Sequence, residues 1–265
     1  MDDGFDLAVL NAELAGTRYS GRLHYFPSIE STNSHAMQQA EAGAGDGSVY
    51  FADEQTGGRG RGDHAWISPP GSGLYVSVLL RPQIAPADIL WLSLAAGLAA
   101  QNAIRQLTSL EADLRWPNDV LLGRRKFCGI LTELNAEVTR VRHAVVGIGI
   151  NVHQPEFPGE LGSIATSLAI ETGRSWPRQE LLIALLQSLD REVAALSGSA
   201  DLRRAQHLIR ERLEAGSTWI RGKRVRVEEG DGFTGTTEGL DERGFLRVRT
   251  ADGVRTVLSG GVREA

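Results

Sequence analysis

Gln55-Thr56-Gly57-Gly58-Arg59-Gly60-Arg61-Gly62-Asp63-His64-Ala65-Trp66 joins two stretches of high β propensity, predicted as strands at about 47–53 and about 74–81. Its four glycines permit backbone angles that other residues avoid and leave N–H groups open to a ligand. Arg59 and Arg61 add fixed charge and forked donors suited to phosphate or carboxylate. The segment reads as an anion-binding loop carried on a sheet, with a plain surface hairpin as the alternative. An RNA-binding Arg/Gly tract is disfavoured, because such tracts are longer, repeated and set in basic chains.

Outward from this loop, further strands are predicted at about 21–27, 112–116, 127–135 and 141–152, with a helical stretch from Ser34 to Ala42. Pro86 opens a predicted helix to about 107, buried through Ile89, Leu92, Leu94, Ala96 and Ala100; Pro177 opens another to about Leu196, and a third covers about 201–214. This alternation predicts an α/β (α+β) domain built on a mixed sheet. The pattern changes at Ser217. Val225-Arg226-Val227, Phe245-Leu246-Arg247-Val248-Arg249 and Val254-Arg255-Thr256-Val257-Leu258 are short alternating strands between Gly/Asp/Glu turns, which predicts a small β-barrel. The expected organisation is a domain over 1–217 and a second over 218–265, in keeping with 265 residues at roughly 150 per domain.

Composition sets the outer bounds. Hydrophobic residues at 42 % and charged residues at 23 % are those of a globular protein with a sizeable core. A net charge of −5 argues against non-specific nucleic-acid binding, and the barrel segment, with nine basic and eight acidic residues, has no strong field of its own. Only Lys126 and Lys223 break the use of Arg for positive charge. The single cysteine, Cys128, excludes an intramolecular disulfide and sits in an apolar run as a small core residue. The acidic start Met1-Asp2-Asp3-Gly4 is no signal peptide, and the apolar tract from Ile89 to Ala100 is shorter than the roughly 20 residues of a membrane span. A cytoplasmic protein without membrane or nucleic-acid partners is expected.

Standard nucleotide and hydrolase signatures are missing: neither lysine is followed by Ser or Thr, and there is no H-E-x-x-H or G-x-S-x-G. The one G-x-G-x-x-G, Gly230 to Gly235, lies in the β-rich tail with no helix after it, and reads as a decoy. Three other segments carry chemistry. In Trp116-Pro117-Asn118-Asp119, Asp119 ends a strand where it can hold a metal-bound nucleotide, or simply completes a turn. Beyond it, Lys126 opens the strand Lys126-Phe127-Cys128-Gly129-Ile130-Leu131 with its head placed to meet a carboxylate or phosphate; Arg124-Arg125-Lys126 as a solvated hairpin tip is the alternative. In Gly147-Ile148-Gly149-Ile150-Asn151 two glycines allow close backbone approach to a ligand, and Asn151 supplies a polar group at the strand end. Ser31-Thr32-Asn33 either caps a helix or offers hydrogen bonds to a small polar head.

Taken in order, these segments with the Gly58-Arg59-Gly60-Arg61-Gly62 loop and Trp66 resemble the biotin protein ligase family over about residues 24 to 265. The resemblance implies a catalytic domain of the class II aminoacyl-tRNA synthetase and biotin ligase type, followed by an SH3-like barrel. It implies a two-step reaction in which ATP and biotin give biotinyl-5′-AMP, and the adenylate then acylates one lysine of a biotin carboxyl carrier domain of acetyl-CoA carboxylase. By the same resemblance Ser31, Thr32, Asn33, Gln55, Gly58, Gly60 and Gly129 contact biotin, and Arg59 and Arg61 fold over biotin and adenylate. Lys126 meets the activated carboxyl and α-phosphate, Trp66, Asn118 and Asn151 lie near the nucleotide, and Asp119 lies near Mg²⁺ and the triphosphate. Only thirty residues precede Ser31, so a ligase without the DNA-binding domain of bifunctional members is expected. The adenine contact stays open between Phe157 and Ile164. A lipoate ligase and a non-catalytic ligand- or RNA-binding module are the rival readings, and monomer and homodimer are equally compatible with the sequence.

Overall fold

The computed structural model describes residues 4–62, 64–197 and 202–265. The acidic start at 1–3, loop residue Asp63 and the expected helix start at Asp201 lie outside them. A seven-stranded sheet has the order β1 (Leu23–Ile29), β2 (Val49–Gln55), β3 (Gly73–Leu80), β7 (Val141–Asn151), β6 (Arg125–Ala136), β5 (Asp119–Leu122), β4 (Asp113–Arg115). β1 and β2 run parallel and every other neighbouring pair is antiparallel, so the sheet is mixed.

Period-2 alternation sorts the two faces of this sheet. Val146, Ile148 and Ile150 of β7 join Leu74, Val76, Val78 and Leu80 of β3 in the main core, under α3 (Leu90–Thr108) and α6 (Arg178–Ser197). On the opposite face Val145 and Leu79 pack with Ala36 and Ala40 of α2 (Thr32–Glu41). Gly147 and Gly149 also belong to that second face, and lacking side chains there they leave a hollow beside the N-terminus of α2.

α3 corrects one expectation. The helix ends at Thr108, as predicted, but the tract read as too short for a span belongs to a longer continuous run: Gln101, Asn102, Arg105 and Gln106 are good or tolerable helix formers that keep it helical past Ala100. The run Pro86–Thr108 is long and apolar enough to cross a membrane by length and composition, but twelve of the nineteen α3 residues are buried in this core. Pro86 starts a short 3₁₀ turn, and α3 itself begins at Leu90.

A second sheet follows α7 (Leu202–Gly216). It is antiparallel and five-stranded, in the order β11 (Gly253–Val257), β10 (Leu246–Thr250), β9 (Phe233–Leu240), β8 (Arg221–Val227), β12 (Val262–Glu264). β9 and β12 were not foreseen. β9 carries Gly235 where a Cβ would stand 2.4 Å from the Arg249 carbonyl oxygen, so a glycine that looks like a loop residue is required by close strand approach. Gly230 and Gly232, both at positive φ, turn the chain between β8 and β9, so no helix follows the G-x-G-x-x-G. The two sheets are joined by buried hydrogen bonds: Trp116 Nε1 donates to Gly244 O at 2.9 Å and Ser217 Oγ to Leu114 O at 2.6 Å.

Candidate active site

Ser31 meets the capping alternative. It is the N-cap of α2, accepting from Ser34 N at 3.4 Å, and the same turn aims Thr32 and Asn33 into the hollow over β7. There they enter a continuous polar chain. Thr32 donates through its backbone N to Gln55 Oε1 at 2.9 Å, with its Oγ1 3.0 Å from the same oxygen, and Gln55 Nε2 donates to Ser68 Oγ at 3.0 Å. Ser77 Oγ lies 2.7 Å from Thr32 Oγ1 and 2.6 Å from Asn33 Oδ1. Asn33 Nδ2 donates to Leu131 O at 3.2 Å and to Glu133 Oε2 at 2.9 Å. Gly147 is required here, because a Cβ on it would come within 2.1 Å of Asn33 Oδ1.

The Gly/Arg segment is a narrow hairpin between β2 and β3: Trp66 N donates to Gly58 O at 2.9 Å and Gly60 N to His64 O at 2.7 Å. Gly58 is needed for that closeness, as a Cβ would stand 2.3 Å from Trp66 O; it does not line the cavity, whereas Gly60 does. The two arginines diverge. Arg59 Nη2 pairs with Glu133 at 3.0 Å on the large sheet, while Arg61 Nη1 donates to Gly260 O at 3.0 Å in the bend between β11 and β12. Trp66 then lies across the paired glycines Gly129 and Gly149, whose added Cβ atoms would meet its indole at 2.8 and 2.5 Å. Its Nε1 is buried without a hydrogen-bond partner among the described residues.

Two cavities meet under this hairpin. The inner one, about 40 Å³, is a slot between the polar chain, the hairpin and the glycines of β6 and β7. It is smaller than the space a small organic ligand needs, so such a ligand must displace the indole or the hairpin arm. The outer one, about 570 Å³, lies between the hairpin, β5 and β6, the 157–165 segment and the second sheet. Gly60, Arg61, Trp66, Asn118 and Lys126 line both. Lys126 Nζ stands 5.2 Å from the Trp66 ring centroid and 2.6 Å from Asp119 Oδ1, and Arg115 Nη2 holds Asp119 Oδ2 at 2.6 Å. With Arg61, Arg115, Lys126 and Arg263 against Asp119 and Glu228, the outer cavity is a cationic site suited to a polyphosphate. Burial pulls the Arg61 guanidinium below its ordinary range, partly offset by Asp119.

Burial by itself would raise the Asp119 pKa, but Lys126 and Arg115 outweigh it and hold the carboxyl below its ordinary value of 3.8. The folded state therefore binds this proton less readily than the unfolded chain. The stabilisation is complete above the ordinary value and is lost as pH falls through the depressed folded one. In Asp119→Asn the urea midpoint should fall less between about pH 5 and about pH 3 than in the wild type. Identical acid limbs would show that the pair carries no such linkage.

Asn118 and Asn151 line the outer cavity with their amides already engaged: Asn118 Nδ2 donates to Ile130 O at 2.8 Å and Asn151 Nδ2 to Thr166 O at 3.0 Å. Phe157, Leu161 and Ile164 form an apolar wall across the same space. Cys128 is fully buried, and burial pushes its thiol up to about 12, as a core residue requires. The sequence reading missed Ser77, Arg115 and Glu133. Ser77 was visible as a lone polar residue within an apolar strand and Arg115 as the i−4 partner of Asp119, whereas Glu133, next to Thr132 and near Asn135, carried no such signal.

Comparison with known proteins places the chain in a family. Residues 25–151 match the biotin/lipoate A/B protein ligase family, and residues 221–262 match the biotin protein ligase C-terminal domain. The bifunctional ligase/repressor BirA of Bacillus subtilis is 34 % identical over 245 residues, 91 % of this chain and 73 % of that protein. The biotin–[acetyl-CoA-carboxylase] ligases of Mycobacterium tuberculosis and Paracoccus denitrificans are 34 % and 32 % identical, over 88 % of this chain and 85 % and 96 % of theirs. The structure of biotin protein ligase from Aquifex aeolicus in complex with biotin and ATP superposes with a TM-score of 0.78 at 31 % identity, covering 92 % of this chain and all of that one. The fold thus falls in the class of biotin/lipoate protein ligases. Within it, this chain belongs to the biotin protein ligase family.

Proposed function

We propose that this chain is an ATP-dependent biotin–[acetyl-CoA-carboxylase] ligase that forms biotinyl-5′-AMP and transfers biotin to a lysine of a carboxyl carrier domain. The carrying observation is the place of Lys126, whose side chain lines both the inner slot and the outer cationic cavity. A carboxylic acid with its head among Thr32, Asn33, Gln55 and Ser77 would bring its carboxylate toward Lys126, and a triphosphate in the outer cavity would bring its α-phosphorus to the same point. Attack joins carboxylate oxygen to phosphorus as pyrophosphate leaves. Lys126, Arg59 and Arg61 offset the anion–anion repulsion of that step. In the second step the lysine amine attacks the acyl carbon and AMP leaves. Until then the hairpin with Trp66 shields a mixed anhydride from water.

The nucleotide reading gives Trp66 Nε1 an acceptor it lacks and sets the adenine against Phe157, Leu161 and Ile164. Asp119 fits a Mg²⁺ role as a single carboxylate beside phosphates, the usual arrangement for that ion, and the metal would neutralise charge on the leaving pyrophosphate. Among the described residues there is no group of three or more acidic, His or Cys side chains to hold a metal alone. We read the seven-stranded sheet as a class II synthetase-like catalytic domain over 1–217, and the second sheet as an SH3-like barrel over 218–265. The test is incubation with ATP, Mg²⁺, radiolabelled biotin and a carrier domain, beside a lipoate arm. Label on the carrier from biotin alone is expected; label from lipoate alone, or adenylation of neither acid, overturns the reading.

A further inference from the structure

The polar chain at the head of the slot has a direction, and its far end is a carboxylate. Glu133 only accepts hydrogen bonds when ionised, so the Asn33 amide must turn its NH₂ toward Glu133 and Leu131 O, leaving Oδ1 for Ser77. That commits the single Ser77 proton to Asn33, at 2.6 Å. Ser77 Oγ is then an acceptor toward Thr32 Oγ1, 2.7 Å away, while Gln55 Oε1 is held as an acceptor by the Thr32 backbone N–H. The second carboxylate oxygen pairs with Arg59 Nη2 at 3.0 Å, and the other contact of that guanidinium is a 3.4 Å hydrogen bond to Ser34 Oγ. Glu133 thus ties the hairpin arm to the sheet and, together with Leu131 O, sets which atoms of the slot donate.

We infer that Glu133 is a positioning residue for the head group of the acid substrate, acting through Asn33 and Arg59. This rests on the ligase reading above. A cyclic urea has one carbonyl acceptor and two N–H donors, so a fixed donor–acceptor pattern in the slot selects it. A glutamine at 133 replaces the charged acceptor of the Asn33 NH₂ with a weaker neutral one whose own NH₂ competes for that place, so Asn33 keeps only Leu131 O as a fixed acceptor, and it releases Arg59. The Arg59–Glu133 pair is too exposed to matter much for stability, with side chains 51 % and 24 % exposed. Its loss should therefore be read in binding.

The experiment is steady-state, biotin-dependent pyrophosphate release by the full chain and by Glu133→Gln, Glu133→Asp and Glu137→Gln. Glu137 pairs with Arg140 and Arg142 just past the end of β6, away from both cavities, and controls for loss of a charge. In Glu133→Gln the KM for biotin should rise about ten- to a hundredfold, with kcat within about threefold and an unchanged unfolding midpoint. Glu133→Asp should recover part of the KM, and Glu137→Gln should match the wild type. A wild-type KM in Glu133→Gln overturns the assignment, as does a joint loss of kcat and unfolding midpoint in both Glu133 variants. A wild-type chain that releases no pyrophosphate with biotin overturns the ligase reading itself.

Discussion

Lys126→Met is expected to slow biotin adenylation by about a hundred- to a thousandfold, the loss seen when one fixed stabiliser of transition-state charge is removed, or about 2.7–4 kcal/mol. The reason is location. Lys126 lines both cavities, and its ammonium sits 2.6 Å from Asp119 and 5.2 Å from the Trp66 ring centroid, a place where one cation touches head-side and phosphate-side space together. Folding should survive the change, because Arg115 still holds Asp119 at 2.6 Å, and the cost should stay near about 1–2 kcal/mol. Lys126→Arg separates charge from geometry. A planar guanidinium keeps the cation but cannot present a compact ammonium to both an acyl oxygen and a phosphate oxygen, so most of the rate should still be lost. Single-turnover adenylation measured beside circular dichroism checks both variants. A wild-type rate in Lys126→Arg would mean that Lys126 supplies only diffuse charge.

Why Lys126 was legible in the sequence while Glu133 was not comes down to contrast. A lysine stands out in a chain that writes positive charge as Arg, and glycines stand out in a β-branched run. Such local departures mark Lys126, Gly147 and the Gly/Arg loop without any knowledge of the fold. Glu133 acquires its importance only from register, which places it on the face of β6 shared with Gly129 and Leu131 and turned toward α2. The same limit applied to the fold. Strands with strong alternation were readable, whereas β5, four residues long, starts at Asp119, which the sequence reading placed at a strand end or in a turn, and β9 is disguised by Gly235 and Gly239. The divergence of Arg59 and Arg61 was likewise invisible, since spacing reports that both are present but not that one reaches the catalytic sheet and the other Gly260.

Gly147→Ala should raise the KM for biotin by about a hundredfold or more, although it adds one carbon. The new Cβ would fall 2.1 Å from Asn33 Oδ1 and 2.8 Å from Asn33 Cγ, well inside contact distance. The backbone has no room to yield, because β7 is paired on both sides, with Ser77 of β3 and with Leu131 of β6 at this position. Asn33 must move instead, and it cannot do so without giving up its bonds to Ser77, Leu131 O and Glu133. Overpacking of this kind costs about 1–3 kcal/mol in stability, and the broken chain removes the donor pattern that the acid's head requires. Gly149→Ala provides the contrast. Its Cβ would meet the Trp66 indole at 2.5 Å, but Trp66 belongs to the hairpin, not to a strand, and can be displaced. Gly149→Ala should therefore spare head recognition and instead weaken shielding of the adenylate, read as faster release or hydrolysis of biotinyl-5′-AMP without carrier. Isothermal titration of biotin and adenylate-release kinetics on the two variants decide the matter. Equal biotin affinity in Gly147→Ala and the wild type would show that Asn33 does not hold the substrate head.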